Sequence, residues 1–238
     1  PDTETDQSVS GKEAQAQSHG FACNSTDIAE DMEKPRRNAD PERVGLGKIK
    51  ERALERHIPV ICEETEKLLR IIVKIKAPER ILEIGTAVGY SGAVMLESAP
   101  EARLYTVEKD ADRCEEAREN FIRLGMEERV NVINGDAEEI LPMLTGSYDL
   151  VFMDGPKGKY EVFLPYITEM LTEGGVLICD DVLYMGYVEN FPGTGHKHVT
   201  IARNMKGFLE TLLESDKYDT LLLREGDGIT LSIKKENK

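Results

Sequence analysis

The chain has 238 residues, 40% of them apolar, and a formal charge of −15, which allows one substantial core and argues against broad, non-specific attraction to nucleic acid or anionic membrane. No apolar run approaches the roughly 20 residues needed to cross a bilayer, and the first thirty residues are polar and acidic, unlike a secretory signal. The four cysteines (Cys23, Cys62, Cys114 and Cys179) form no Cys-x-x-Cys pair and no Cys/His cluster, so reduced thiols in a soluble, cytoplasmic protein without a membrane partner are expected.

Residues 1–46 are rich in Asp, Glu, Ser, Gln and Asn. They carry too little apolar surface to offset the entropy of ordering, so this acidic segment is expected to be disordered ahead of a single domain over 47–238. A helical period begins at about Ile49, is interrupted at Pro59, and resumes from Glu63 to Lys76. The chain then alternates. Strands are predicted near 80–84, 103–107, 130–134, 149–153 and 175–179, and helices near 89–98, 110–124, 137–144 and 159–171. Such alternation makes a parallel sheet covered on both faces. A helix near 198–214 leads into Tyr218–Leu223 and Ile229–Ile233, separated by Glu225-Gly226-Asp227-Gly228. The predicted fold is α/β, Rossmann-like, with a seven-stranded, mostly parallel sheet closed by an antiparallel C-terminal hairpin. The connection at about 184–197, with Gly186, Pro192, Gly193 and Gly195, is long for a compact domain and is expected to be a substrate loop.

The first strand runs into Glu83-Ile84-Gly85-Thr86-Ala87-Val88-Gly89-Tyr90-Ser91. Glycines at such a junction permit a tight turn and close approach of a ligand to the backbone, and a helix start offers free N–H groups. The spacing is neither the Gly-x-Gly-x-x-Gly of dinucleotide enzymes nor a phosphate loop ending in Gly-Lys-Ser/Thr. S-adenosylmethionine is therefore the favoured ligand. The second strand ends at Glu108-Lys109, with Glu108 25 residues after Glu83, where a carboxylate can accept both ribose hydroxyls. The third ends at Gly135-Asp136-Ala137, where Asp136 can accept from an adenine amino group. Each carboxylate taken singly also suits a helix N-cap or a solvated charge.

The fourth strand ends at Asp154-Gly155-Pro156-Lys157 and the fifth at Asp180-Asp181. Three carboxylates converging at adjacent strand ends call for a cation. Oxygen-only ligands favour Mg²⁺, with Mn²⁺ or Ca²⁺ as alternatives. Lys157, beside that cation and shielded from water, is expected to have its charged form disfavoured and to act as a base near neutral pH. A plain surface ion pair with Asp154 is the competing interpretation.

The segments Ile81–Ser91, Asp154–Lys157 and Asp180-Asp181 resemble the catechol and caffeoyl-coenzyme A type of divalent-metal-dependent O-methyltransferase, over about residues 47–238. The resemblance implies a class I methyltransferase fold, metal ligation by Asp154, Asp180 and Asp181, a general base at Lys157, and a homodimer. The candidate cofactor residues are Val60, Glu83, Gly85, Thr86, Gly89, Tyr90, Ser91, Glu108, Lys109, Asp136, Ala137 and Asp154. One departure is Asp181, where the family usually has Asn; another is residues 1–46. Within the family, His57–Ile61, the loop after Asp181 and Thr200–Met205 are most similar to bacterial tRNA 5-hydroxyuridine methyltransferases. That similarity implies wobble-position 5-methoxyuridine as product. A basic cluster at His196, Lys197, His198, Arg203 and Lys206 is the candidate contact for an anticodon loop, with Lys197, His198 and Arg203 as substrate residues. The alternatives are a small catechol or phenylpropanoid acceptor and, in another class, a non-catalytic RNA- or cofactor-binding module.

Overall fold

In the computed structural model, residues 45–190, 196–224 and 226–236 are described. Residues 1–44, which hold most of the segment expected to be disordered, lie outside the described residues, as does the 191–195 part of the expected substrate loop. Two helices, α1 (Leu46–Glu55) and α2 (Glu63–Lys76), precede β1 (Arg80–Ile84). There follow α3 (Tyr90–Ser98), β2 (Arg103–Glu108), α4 (Ala111–Leu124), β3 (Val130–Asn134), α5 (Ala137–Ile140) and β4 (Tyr148–Met153). The chain continues through α6 (Tyr160–Met170), β5 (Leu171–Cys179), α7 (His196–Leu213), β6 (Tyr218–Leu223) and β7 (Ile229–Lys234). None of the described helices is long and apolar enough to cross a membrane.

The seven strands form one sheet in the order β3-β2-β1-β4-β5-β7-β6. β1 pairs in parallel with β2 and β4, β2 with β3, and β4 with β5, whereas β7 is antiparallel to both β5 and β6. The predicted hairpin is thus the antiparallel edge. Central strands buried on both faces need continuous apolar runs rather than alternation, and Ile81-Leu82, Leu150–Met153 and Val176–Cys179 are all buried. Ile81, Phe152 and Ile178 face a layer built from α1 to α4, with Leu69, Val94 and Phe121 in its core. Leu82, Val151 and Leu177 face the opposite layer, which holds Phe163, Ile167 and Phe208 of α6 and α7.

Boundaries differ from expectation where local chemistry intervenes. The helix predicted over 137–144 is α5 followed by a 3₁₀ turn at Leu141–Met143, because Pro142 has no N–H to continue an α-helix. β5 starts at Leu171 and carries Gly174 and Gly175 inside it; the last helix starts at His196, two residues early.

Beneath the turn after β1 lies a buried polar chain. Ser91 Oγ donates to Glu83 Oε1 at 2.5 Å and Thr106 Oγ1 donates to Oε2 at 2.6 Å. The Thr86 and Thr106 hydroxyls bond each other at 2.5 Å; since Thr106 spends its proton on Glu83, Thr86 is the donor. These four side chains are all buried, and they tie β1, the turn, α3 and β2 together. Burial, abetted by the Asp154 and Glu108 charges and opposed by the two hydroxyls, pushes the Glu83 carboxyl up to about 7.

An unfolded Glu titrates near 4.5, so between about 4.5 and about 7 the native state holds the extra proton. The stability contributed by this group therefore falls as pH rises through that window and is level outside it. Glu83→Gln keeps the shape and removes the titration. Its stability relative to the wild type is expected to climb with pH by an amount on the order of 3 kcal/mol. Thermal unfolding of both proteins at about pH 5 and about pH 8 measures this, and an unchanged difference would count against a protonating Glu83.

Candidate active site

The register of the sheet decides where the chemistry sits. Ile84 pairs with Val107 on one side and Met153 on the other, Met153 pairs with Cys179, and Glu108 pairs with Asn134. Four strands therefore end in line, so that Gly85, Glu108, Asp154 and Asp180 stand side by side at one edge of the sheet. That edge is the floor of a cleft of about 570 Å³, also lined by Gly135, Asp136, Lys157, Asp181, Asp227 and the Pro59–Cys62 loop. Ligands of open α/β sheets sit at such carboxyl-terminal strand ends.

Gly85 is required by close packing. Its φ is +101°, and a Cβ there would lie 2.4 Å from the backbone oxygen of Asp154. Gly89, with φ +81°, heads α3, and a Cβ would lie 2.9 Å from the Phe121 ring. Between them Ala87 is itself left-handed, at φ 45°. Its N–H donates to Glu108 Oε2 at 3.0 Å, while Asp110 N–H donates to Oε1 at 3.0 Å. Glu108 is thereby locked to the turn, and each oxygen keeps a lone pair for a hydroxyl. Asp136 serves as N-cap of α5, accepting from Glu138 N–H at 3.0 Å, and also lines the cleft; the capping and ligand roles expected as alternatives are compatible.

The carboxylate side centres on Lys157. Its Nζ donates to Asp154 Oδ1 at 2.5 Å, stands 3.0 Å from Asp181 Oδ2, and donates to the Tyr160 hydroxyl at 3.2 Å. Tyr160 is fully buried and its O–H points to the carbonyls of Met153 and Asp180, at 3.0 and 3.2 Å. It is a floor under the lysine. Asp180 is buried, accepts the Asp181 N–H at 2.8 Å, and has its carboxyl pushed up to about 7 by desolvation and by the charges of Asp154 and Asp181. Asp181 itself has φ 53°, a left-handed conformation that Asn and Asp tolerate best among residues with a Cβ.

The two interpretations of Lys157 meet in this geometry. Burial does oppose the charge on Lys157, but Tyr160, Asp154 and Asp181 outweigh it, and the ammonium is held well above its ordinary pKa; the ion pair with Asp154 is present. Among the described residues, moreover, no three His, Cys, Asp or Glu side chains are already gathered as a ligand set. Asp154, Asp180 and Asp181 line one cleft, and their chemistry, hard oxygens close enough that burial and the neighbouring charges push the Asp154 and Asp180 carboxyls up, fits a divalent cation.

Of the remaining candidates, Val60, Lys109 and Ala137 line the cleft. Glu83, Thr86, Gly89, Tyr90 and Ser91 do not line it. They lie buried behind the turn, and Tyr90 O–H reaches back to Glu66 Oε2 at 2.7 Å. Lys197 and Arg203 are exposed on α7 and also outside the lining. His198 is spent on a ring cluster with Tyr184 and Tyr187, its Nδ1 2.9 Å from the Tyr184 hydroxyl. The charged lining residue that sequence reasoning passed over is Asp227. The signal was there, an Asp between two glycines in a turn at this same edge, but it reads equally as plain hairpin punctuation.

The profile of the O-methyltransferase family matches residues 44–235. A catechol O-methyltransferase of Niastella koreensis is 29% identical over 71% of this chain and 79% of its own length. A catechol O-methyltransferase of Mycobacterium tuberculosis is 32% identical over 53% of this chain and 58% of its own. Among solved structures, the SAH-bound methyltransferase of Podospora anserina superposes with a TM-score of 0.73 at 27% identity, over 84% of this chain and 90% of that one. The O-methyltransferase TomG of Streptomyces achromogenes, in complex with SAM, superposes with a TM-score of 0.71 at 25% identity, over 90% and 97%. With a profile match spanning the whole sheet and the cleft at its edge, the chain belongs to the O-methyltransferase family.

Proposed function

We propose that this protein transfers the methyl group of S-adenosylmethionine to one hydroxyl of a small acceptor that carries two adjacent oxygens, as a catechol does, with the help of a divalent cation. The observation that carries this reading is the side-by-side placement, in one cleft, of the Gly85 turn with Glu108 and the Lys157 cluster with Asp154, Asp180 and Asp181. Glu108 and the backbone at Gly85–Ala87 would hold the ribose, and Asp136 the adenine edge. Asp154, Asp180 and Asp181 would hold the cation, which when bound draws acidity out of a phenolic hydroxyl. Lys157 Nζ stands among these same carboxylates, on the Tyr160 floor that fixes its height; with their charge taken up by the cation, the support for its ammonium would fall and the neutral amine would receive the hydroxyl proton. Holding the acceptor oxygen and the methyl in line is the remaining task, and the shared rigid edge performs it.

A small acceptor is favoured over tRNA by charge. The cleft lining holds six carboxylates (Glu108, Asp136, Asp154, Asp180, Asp181 and Asp227) against Lys109 and Lys157. Such a surface attracts a cation and repels a phosphate backbone. The basic residues that would meet RNA, Lys197 and Arg203, stand outside that lining.

The test is incubation with labelled S-adenosylmethionine and Mg²⁺ against a panel of catechols and, separately, tRNA bearing 5-hydroxyuridine. Label is expected in catechol and is expected to vanish with chelator and return with Mg²⁺; label in tRNA alone would overturn the small-acceptor reading, and transfer indifferent to chelator would overturn the metal. Lys157→Ala is expected to lower kcat by about two orders of magnitude or more, as loss of a positioned proton acceptor does. Calorimetry with S-adenosylmethionine should show cofactor affinity unchanged within about threefold. A variant with normal turnover would remove Lys157 from the mechanism.

A further inference from the structure

The ten residues after Cys179 contain a concentration of unfavourable backbone. Asp181, Tyr184 and Met185 have φ of 53°, 47° and 58°, three of the six non-glycine residues with positive φ among those described. Left-handed conformations are uphill for any residue with a Cβ and persist where surrounding structure over-determines them. The neighbour that does so is the turn between β6 and β7. Gly228 O accepts Val182 N–H at 2.9 Å, Asp227 O accepts Leu183 N–H at 2.8 Å, and Asp227 Oδ1 accepts Met185 N–H at 2.5 Å. Gly228, with φ +80°, leaves room for Leu183, whose Cγ would lie 2.4 Å from a Cβ there. An Arg224–Glu189 ion pair joins the same two segments farther out. At the other end of the loop, Asp181 Oδ2 stands 3.0 Å from Lys157 Nζ.

We infer that Asp227 is a positioning residue: its side chain, acting as an acceptor for the Met185 N–H, clamps the Asp181–Gly186 loop in its strained form and so sets the Asp181 carboxylate against Lys157. The inference rests on the proposed transfer reaction for its consequence, since a clamp matters to turnover only if Asp181 and Lys157 take part. The geometry of the clamp stands without it. The consecutive left-handed residues Tyr184 and Met185 need a fixed acceptor, and a turn between two paired strands supplies it. Charge is secondary in this role, because the requirement is an oxygen in that place.

The experiment compares full-length wild type, Asp227→Ala and Asp227→Asn by three measurements. Hydrogen exchange at the Leu183 and Met185 amides is expected to accelerate at least about tenfold in the Ala variant and much less in the Asn variant, which keeps a side-chain oxygen. Calorimetric titration of Mn²⁺ into the cofactor-free protein is expected to weaken about tenfold in the Ala variant and to recover in the Asn variant, and kcat on catechol is expected to follow the same order with KM for S-adenosylmethionine unchanged. Unchanged exchange in Asp227→Ala overturns the clamp, as does an Asn variant no better than Ala, which would make charge the operative property. Faster exchange with undiminished kcat overturns its bearing on catalysis. If the wild type itself transfers methyl to no acceptor, the proposed reaction fails instead, and the exchange rates alone decide the clamp.

Discussion

Four parallel strands, β2, β1, β4 and β5, run through an apolar interior and stop together, and each hands over at its last step to a group that cannot be left in that interior. Glu108, the glycine turn, Asp154 and Asp180 all follow from this one alignment, fixed by pairs such as Ile84 with Met153 and Met153 with Cys179. A register slip of one residue would turn every side chain of the slipped strand to the other face. The dense apolar packing on both faces is what excludes it, so the layers that look purely structural determine the spacing of the polar groups at the edge.

Charge at that edge is distributed rather than cancelled. Lys157 reaches Asp154 and Asp181 together, with the buried Tyr160 hydroxyl beneath, while Asp180 remains the carboxylate with the strongest claim on further positive charge. On the proposed reaction, the lysine and a divalent cation would be competitors for the same oxygens. A protein with that arrangement would have two ways of neutralising its floor, and the choice between them would change what the lysine can do with a proton.

Much of this was legible in the sequence. Alternating strand and helix signals located the sheet, and the polar residues following each apolar run located the edge. The limits were directional. Glu83 and Ser91 sit at the end of β1 and the start of α3, next to the turn, yet both point into the buried hydroxyl chain, because a strand end seen in sequence does not say which face its penultimate side chain takes. Lys157 could be read either as a base beside a cation or as a plain ion-pair partner of Asp154; that its ammonium lies 2.5 Å from Asp154 and also 3.0 Å from Asp181 is a matter of distances no spacing reveals. Asp227 was hidden for a third reason. It lies 46 residues after Asp181, and only the antiparallel return of β7 along β5 brings them together.

The contact between Gly85 and the backbone of Asp154 bears on how ligands reach the cleft. With the turn pressed that closely against the end of β4, and Asp154 N–H bonded to Ile84 O at 2.9 Å, the two halves of the floor form a single solid piece and cannot part to admit anything. Entry and departure are left to the rim, where the Pro59–Cys62 loop faces the Gly226-Asp227 turn. On the proposed reaction, donor and acceptor would both pass those loops, and the order in which they do so would be a property of the loops rather than of the sheet.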